Sequence, residues 1–189
     1  MLISKEWLET YVEVNQPVNT LAERITRTGI EVEDIIDYTA EIKKLVVGHV
    51  DEIEKHPNAD KLNICKVDVG EDEPVQIVCG APNVDAGQTV IVARVGGRLP
   101  GGVKIKRAKL RGEVSEGMIC SLQEIGISNQ LTPKHFENGI FVFPEAVTPG
   151  TDALAALYLD DQVMEFDLTP NRADALSMIG TAYETAALY

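Results

Sequence analysis

A chain of 189 residues with 44% hydrophobic content can bury one sizeable core or two small ones. No run approaches the roughly 20 apolar residues of a membrane helix, and Cys65, Cys79 and Cys120, an odd number without a C-x-x-C pair, do not make a disulfide framework. The net charge of −13 argues against indiscriminate nucleic-acid binding, and the N-terminal MLISKEWLETY lacks the apolar run of a signal peptide, which makes cytoplasm the expected compartment.

The first forty residues read as α+β. Trp7, Leu8 and Tyr11 fall at helical spacing after Ser4. A second helix is expected after Pro17, with Thr20 and Glu23 spaced as a capping box, Leu21 and Ile25 on one face and Gly29 as its stop. IEVEDIIDY then puts Ile30, Val32, Ile36 and Tyr38 on alternate positions of a strand, with Asp34 breaking the series.

From about Lys44 to Pro144 the texture changes to short β-runs separated by turn chemistry. LVVGHVDEI, LNICKVDVG, VQIVCG, TVIVARVG, VKIKRAKL and GIFVF are bounded by HPNAD, GEDEP, APNVDAG and GGRLPGG. Five or so strands with Gly and Pro at the corners predict a small closed barrel rather than a sandwich of about seven. SLQEIGI reads as a short helical or irregular turn, and NQLTPKHFENG as a polar loop.

After Thr148 the α+β pattern returns. A helix in DALAALYL is expected to be capped by Thr151 or Asp152. QVMEFDLTP alternates as a strand, with Met164, Phe166 and Leu168 on one side. The last helix is expected to be capped by Asp174 and to carry Leu176, Ile179, Tyr183 and Ala187 on its apolar stripe. Each flank is too short to bury a core alone. The predicted division is therefore one split α+β domain of residues 1–40 and 152–189, its strands near 30–38 and 162–168 paired, with residues 41–151 inserted as the barrel. The stripe continues to Tyr189 without a stop signal, which reads as a piece of a longer protein.

No catalytic constellation is visible. His49, His56 and His135 are dispersed, and His56-Pro57-Asn58-Ala59-Asp60 is first of all a turn. The glycines at 96, 97, 101 and 102 fit neither phosphate-loop pattern. The three cysteines read as buried thiols. The charge distribution is more informative. Between Asp85 and Glu113 there is no acidic residue, while Arg94, Arg98, Lys104, Lys106, Arg107, Lys109 and Arg111 all fall there. With a Debye length of about 8 Å, such a stripe can hold a polyanion on an acidic protein. A solvated hairpin is the alternative. No Phe, Tyr or Trp lies between Tyr38 and Phe136, so base stacking is not expected, and contact with RNA should follow backbone and shape.

HPNADKLNICKVDVG, IVCGAPNV and LRGEVSEGMICSLQEIG, in this order, resemble the EMAP-type tRNA-binding module, an OB-fold domain. The flanking MLISKEWLETYV, TGIEVED and FDLTPNRADALSMIGTAYETAAL are similar to the start of the bacterial phenylalanyl-tRNA synthetase β subunits, whose first domain is split by that module. The resemblance implies an α+β fold, with a discontinuous small α/β domain and an inserted OB-fold β-barrel. It implies a parent α2β2 ligase that charges tRNA-Phe using ATP and Mg²⁺, with aminoacylation in the α subunit. Editing and anticodon binding would lie beyond Tyr189, so no catalytic residue or metal ligand carries over, and the stretch itself is expected to be inactive. A free-standing OB-type tRNA-binding or chaperone-like protein, and a purely structural spacer within the synthetase, remain the other readings. In DLTPNRAD, Arg172 is expected to pair with a neighbouring acid, with RNA contact as the alternative.

Overall fold

A computed structural model describes residues 1–189 of the chain. Its elements are β1 (Leu2–Ser4), α1 (Lys5–Glu9), α2 (Val18–Arg27), β2 (Glu31–Asp37), β3 (Lys43–Lys55), β4 (Asn63–Asp68), β5 (Val75–Cys79) and β6 (Thr89–Leu99). They continue with β7 (Val103–Lys104), β8 (Ala108–Leu110), β9 (Glu113–Ser115), β10 (Gly117–Ile119), α3 (Ala153–Ala156), β11 (Gln162–Asp167) and α4 (Met178–Ala186). The chain is thus mixed helix and sheet. It forms two compact units, one of Met1–Tyr38 with Asp160–Tyr189 and one of Thr39–Leu159.

In the first unit the order β1-β11-β2 makes an antiparallel sheet from both ends of the sequence. The interruption at Asp34 has a structural origin. Glu165 faces Asp34 and Phe166 faces Val32, so Glu33 is an extra residue at a bulge. The bulge shifts the inward positions of β2 from Val32 to Ile35, and both pack on a core of Ile3, Leu8, Leu21, Ile25, Met164 and Phe166. Ser4 caps α1 by accepting from the Trp7 N–H at 3.0 Å. The capping box expected at Thr20 and Glu23 does not form. Helix α2 starts at Val18, directly after Pro17, which leaves Glu23 mid-helix and paired with Arg27. Nor does Asp174 cap α4. Ser177 does so, accepting from the Gly180 N–H at 3.2 Å, while the Asp174 carboxylate is held by Arg172.

The orientation of α4 also differs from the expectation. Met178, Thr181, Ala182 and Thr185 are buried, whereas Leu176, Ile179, Tyr183 and Ala187 face outward. Gly180 lies off that inward side and packs on the turn before the helix, where a Cβ would come within 2.2 Å of the Asp174 carbonyl oxygen.

In the second unit the ladder order is β10-β6-β3-β4-β5, with β7 added to β6 and a separate β8-β9 hairpin. Strand β6 is buried on both faces. Its Ile91 and Ala93 meet a cluster with Leu45, Val47, Phe143 and Leu154, and its Val90 and Val92 meet another with Val50, Val67 and Ile77. Gly48 is the narrow point of the interior, where an added Cβ would lie 2.6 Å from Val92 Cγ2 and 2.8 Å from Val67 Cγ1.

The ladders do not close a barrel, in contrast to the closed form expected. The chain kinks between β9 and β10, so β5 meets this segment through one backbone bond, Glu116 N–H to Gln76 C=O at 2.8 Å. Two side-chain bonds complete the seam, Gln76 Nε2–H to Val114 C=O at 2.8 Å and Val78 N–H to Ser115 Oγ at 3.0 Å. VKIKRAKL is split into β7 and β8, and GIFVF contributes only a bridge from Val142 to Val90. Helix α3, capped by Asp152 through the Leu154 and Ala155 N–H groups, lies in this unit, with Ala153 and Leu154 in its core.

Candidate nucleic-acid interface

Strand pairing assembles the centre of the basic surface. Arg98 of β6 has Lys43 of β3 as its register partner on one side and Lys104 of β7 on the other. Directly paired residues project from the same face of a sheet, and neighbouring strands lie about 4.8 Å apart, so the three cations form a row roughly 10 Å long. All three are exposed. Lys44 joins them. Its backbone has φ +58°, and its Nζ overlies Gly96, where a Cβ would lie 3.2 Å away. Lys43 and Lys44 are absent from the sequence-derived stripe because they precede Arg98 by more than fifty residues.

The remaining cations divide into two kinds. Arg94 is held by Glu71, and Arg107 pairs with Glu116 at 3.1 Å, both on the surface. Arg98, Lys104, Lys106, Lys109 and Arg111 form no ion pair. Lys104 and Lys106 sit on the rim of an open cleft of about 610 Å³, whose floor is apolar through Ile105, Met118, Ile119 and Ile140. The one carboxylate on its lining, Glu124, accepts from the Ser121 backbone N–H at 2.7 Å.

Lys109 and Arg111 ride on the β8-β9 hairpin, whose two-residue turn is Arg111-Gly112 with φ +53° and +106°. Both positive angles match the twist of a tight hairpin. The HPNAD turn secures it. Buried His56 bonds through Nε2 to the Leu110 carbonyl oxygen at 2.9 Å, and its Nδ1 accepts from the Asn58 N–H at 3.0 Å. The second bond fixes Nδ1 as acceptor, so Nε2 carries the proton. His56 is therefore a fastener under the basic hairpin. The sequence shows the turn, but not its partner 54 residues away.

Stacking platforms are scarce in this unit. Phe136, Phe141 and Phe143 pack on one another with successive ring centroids 5.0 Å apart, and Tyr158 is the exposed aromatic. The cysteines are inert thiols: burial pushes Cys65 and Cys120 up to about 12 and raises Cys79. No group of three or more His, Cys, Asp or Glu converges to hold a metal ion. In the first unit, Arg172 bonds Asp174 at 3.0 Å and Glu184 at 2.7 Å, and so takes the intramolecular role expected of it. The arrangement suits a polyanion laid over an array of cations, without base stacking.

The chain belongs to the putative tRNA-binding domain family, whose sequence model matches residues 45–152. Over all 189 residues it is 82% identical to the phenylalanine–tRNA ligase β subunit of Staphylococcus saprophyticus and 79% identical to that of Staphylococcus aureus. In both cases it spans 24% of the relative's length. Among solved structures, the C-terminal domain of Plasmodium vivax p43 is similar at a TM-score of 0.40, with 27% identity over 61% of each chain.

Proposed function

We propose that these residues are the N-terminal region of a phenylalanine–tRNA ligase β chain. The unit of Thr39–Leu159 would be its OB-type tRNA-binding module, slightly longer than the 41–151 read from sequence, and Met1–Tyr38 with Asp160–Tyr189 the split domain that carries it. The parent enzyme attaches phenylalanine to tRNA-Phe in the cytoplasm with an α subunit, as an α2β2 assembly. The ATP and Mg²⁺ that it uses are bound elsewhere in it, and this region is non-catalytic. The tRNA backbone runs over Lys43, Arg98 and Lys104 and on toward Lys106, Lys109 and Arg111. The observation that carries the reading is a row of unpaired cations, Arg98 and Lys104 within the residues matched by a tRNA-binding family and Lys43 just before them, on a chain whose net charge is −13.

The test is tRNA binding across a salt series. Neutralising three or four phosphates gives a log–log slope of roughly −3, hence a loss of some tens-fold between about 50 and 200 mM salt. Replacing Lys106 and Lys109 with alanine should weaken all tRNAs alike and flatten the slope. Salt-independent binding, or loss confined to tRNA-Phe, would overturn backbone tracking. Absence of binding at low salt would favour the structural spacer.

A further inference from the structure

The unit of Met1–Tyr38 and Asp160–Tyr189 has an apolar face that its own core does not use. Along α4, Ile179 and Tyr183, with Leu176 just before the helix, repeat at helical spacing and are 54%, 76% and 59% exposed. The opposite side of the same helix supplies Met178 and Ala182 to the core. A helix that is apolar on one stripe lies on a surface, whereas one that is apolar on two sides lies between layers. Only one of those layers is present here.

The stripe has neighbours of the same character. Tyr11 lines a shallow cleft of about 230 Å³ together with Ile179 and Tyr183. Trp7, one helical turn before Tyr11, is 56% exposed. Single exposed apolar side chains are ordinary, but three large ones lining one cleft, with Trp7 and Leu176 three or four residues along the chain from it, are not. Two pairs of adjacent charges are already engaged with each other, Lys5 with Glu9 and Glu184 with Arg172. Aromatic-rich and charge-poor surface of this kind matches the centre of protein–protein contacts.

We infer that this face docks another part of the same polypeptide, contributed by the portion of the longer β chain that these 189 residues do not include. This rests on the reading of the chain as part of a ligase β subunit. The relatives carry about three quarters of their length outside the matched region. A tethered surface acts at an effective concentration near the millimolar range, which favours it over a free partner or a second copy. Residues beyond the described chain thus complete the second layer over α4.

The experiment is acetylation of tyrosine hydroxyls, followed by mass spectrometry at Tyr11 and Tyr183. In the 189-residue chain both should react freely. In the full-length β chain they should react about tenfold more slowly, since labelling must await local opening. Ile179→Glu in the full-length chain should restore reactivity at both, with circular dichroism checking that the helices persist. Equal labelling of the short and long chains would overturn the inference. So would protection of the short chain that grows with its own concentration, which indicates a second copy, or protection of the long chain only when the α subunit is added. Loss of tRNA binding, by contrast, bears on the ligase reading and leaves the labelling result intact.

Discussion

The imidazole of His56 donates from Nε2 to the carbonyl oxygen of Leu110 at 2.9 Å, joining the HPNAD turn to the last residue of β8. Because its other nitrogen accepts from the Asn58 N–H, one buried ring satisfies two backbone groups belonging to distant segments. His56→Ala leaves both without a partner, at a cost of about 1–3 kcal/mol. Amides of Lys109 to Glu113 should then exchange faster and tRNA affinity should fall, whereas the amides of β6 should keep their protection. Hydrogen exchange of the variant checks this; an unchanged hairpin would show that the ring is not its support.

Lys43 and Lys104 flank Arg98 as like charges directly opposite one another, an arrangement that destabilises a sheet. Lys43→Ala should therefore raise thermal stability slightly, by a few tenths of a kcal/mol, while weakening tRNA binding and reducing the salt slope by about one. Melting curves and a salt titration on the same variant separate the two effects. Loss of stability together with unchanged binding would assign Lys43 a structural role instead.

Gly180 sits where a Cβ would strike the Asp174 carbonyl and the Ala175 backbone. Gly180→Ala would ordinarily favour a helix, but here overpacking should cost about 1–3 kcal/mol. Denaturant melts of the variant should shift to lower midpoints, and hydrogen exchange should place the loss in α4 rather than in β3 or β6.

Acid should weaken the same unit by a defined route. The Arg172 guanidinium holds the Asp174 carboxyl below the usual aspartate range. A carboxyl that is depressed in the folded state contributes stability above its unfolded value and loses it as pH falls through the folded one. Stability should thus decline as pH drops below about 4, the ordinary aspartate value. Arg172→Ala should lower stability at neutral pH and make the decline shallower. Urea melts of both proteins across that range measure the difference; parallel curves would contradict it.

Local chemistry left clear marks in the sequence. Alternation in QVMEFDL, the Gly29 stop and a cap at Thr151 or Asp152 all follow from side-chain period and turn residues. Each is a property of a few consecutive residues, and in the structure the strand and the stop stand where expected and Asp152 is the cap, while of the middle β-runs VKIKRAKL is split and GIFVF gives only a bridge. Even the break at Asp34 was visible, although its cause, the extra residue at Glu33, depends on the partner strand.

Composition and period are local, and they set the classes of element and the concentration of positive charge between Asp85 and Glu113. Tertiary structure alone decided which charges work together. Register brought Lys43 to Arg98, and folding gave Arg94 and Arg107 acidic partners in Glu71 and Glu116. It also decided which side of α4 faces inward. Two stripes of that helix could serve as a core face, and packing buries the one with Met178, Thr181, Ala182 and Thr185, leaving Ile179 and Tyr183 outside. Pairing, register and helix seating are settled by contacts between residues far apart in the chain, and periodicity within one segment carries no information about them.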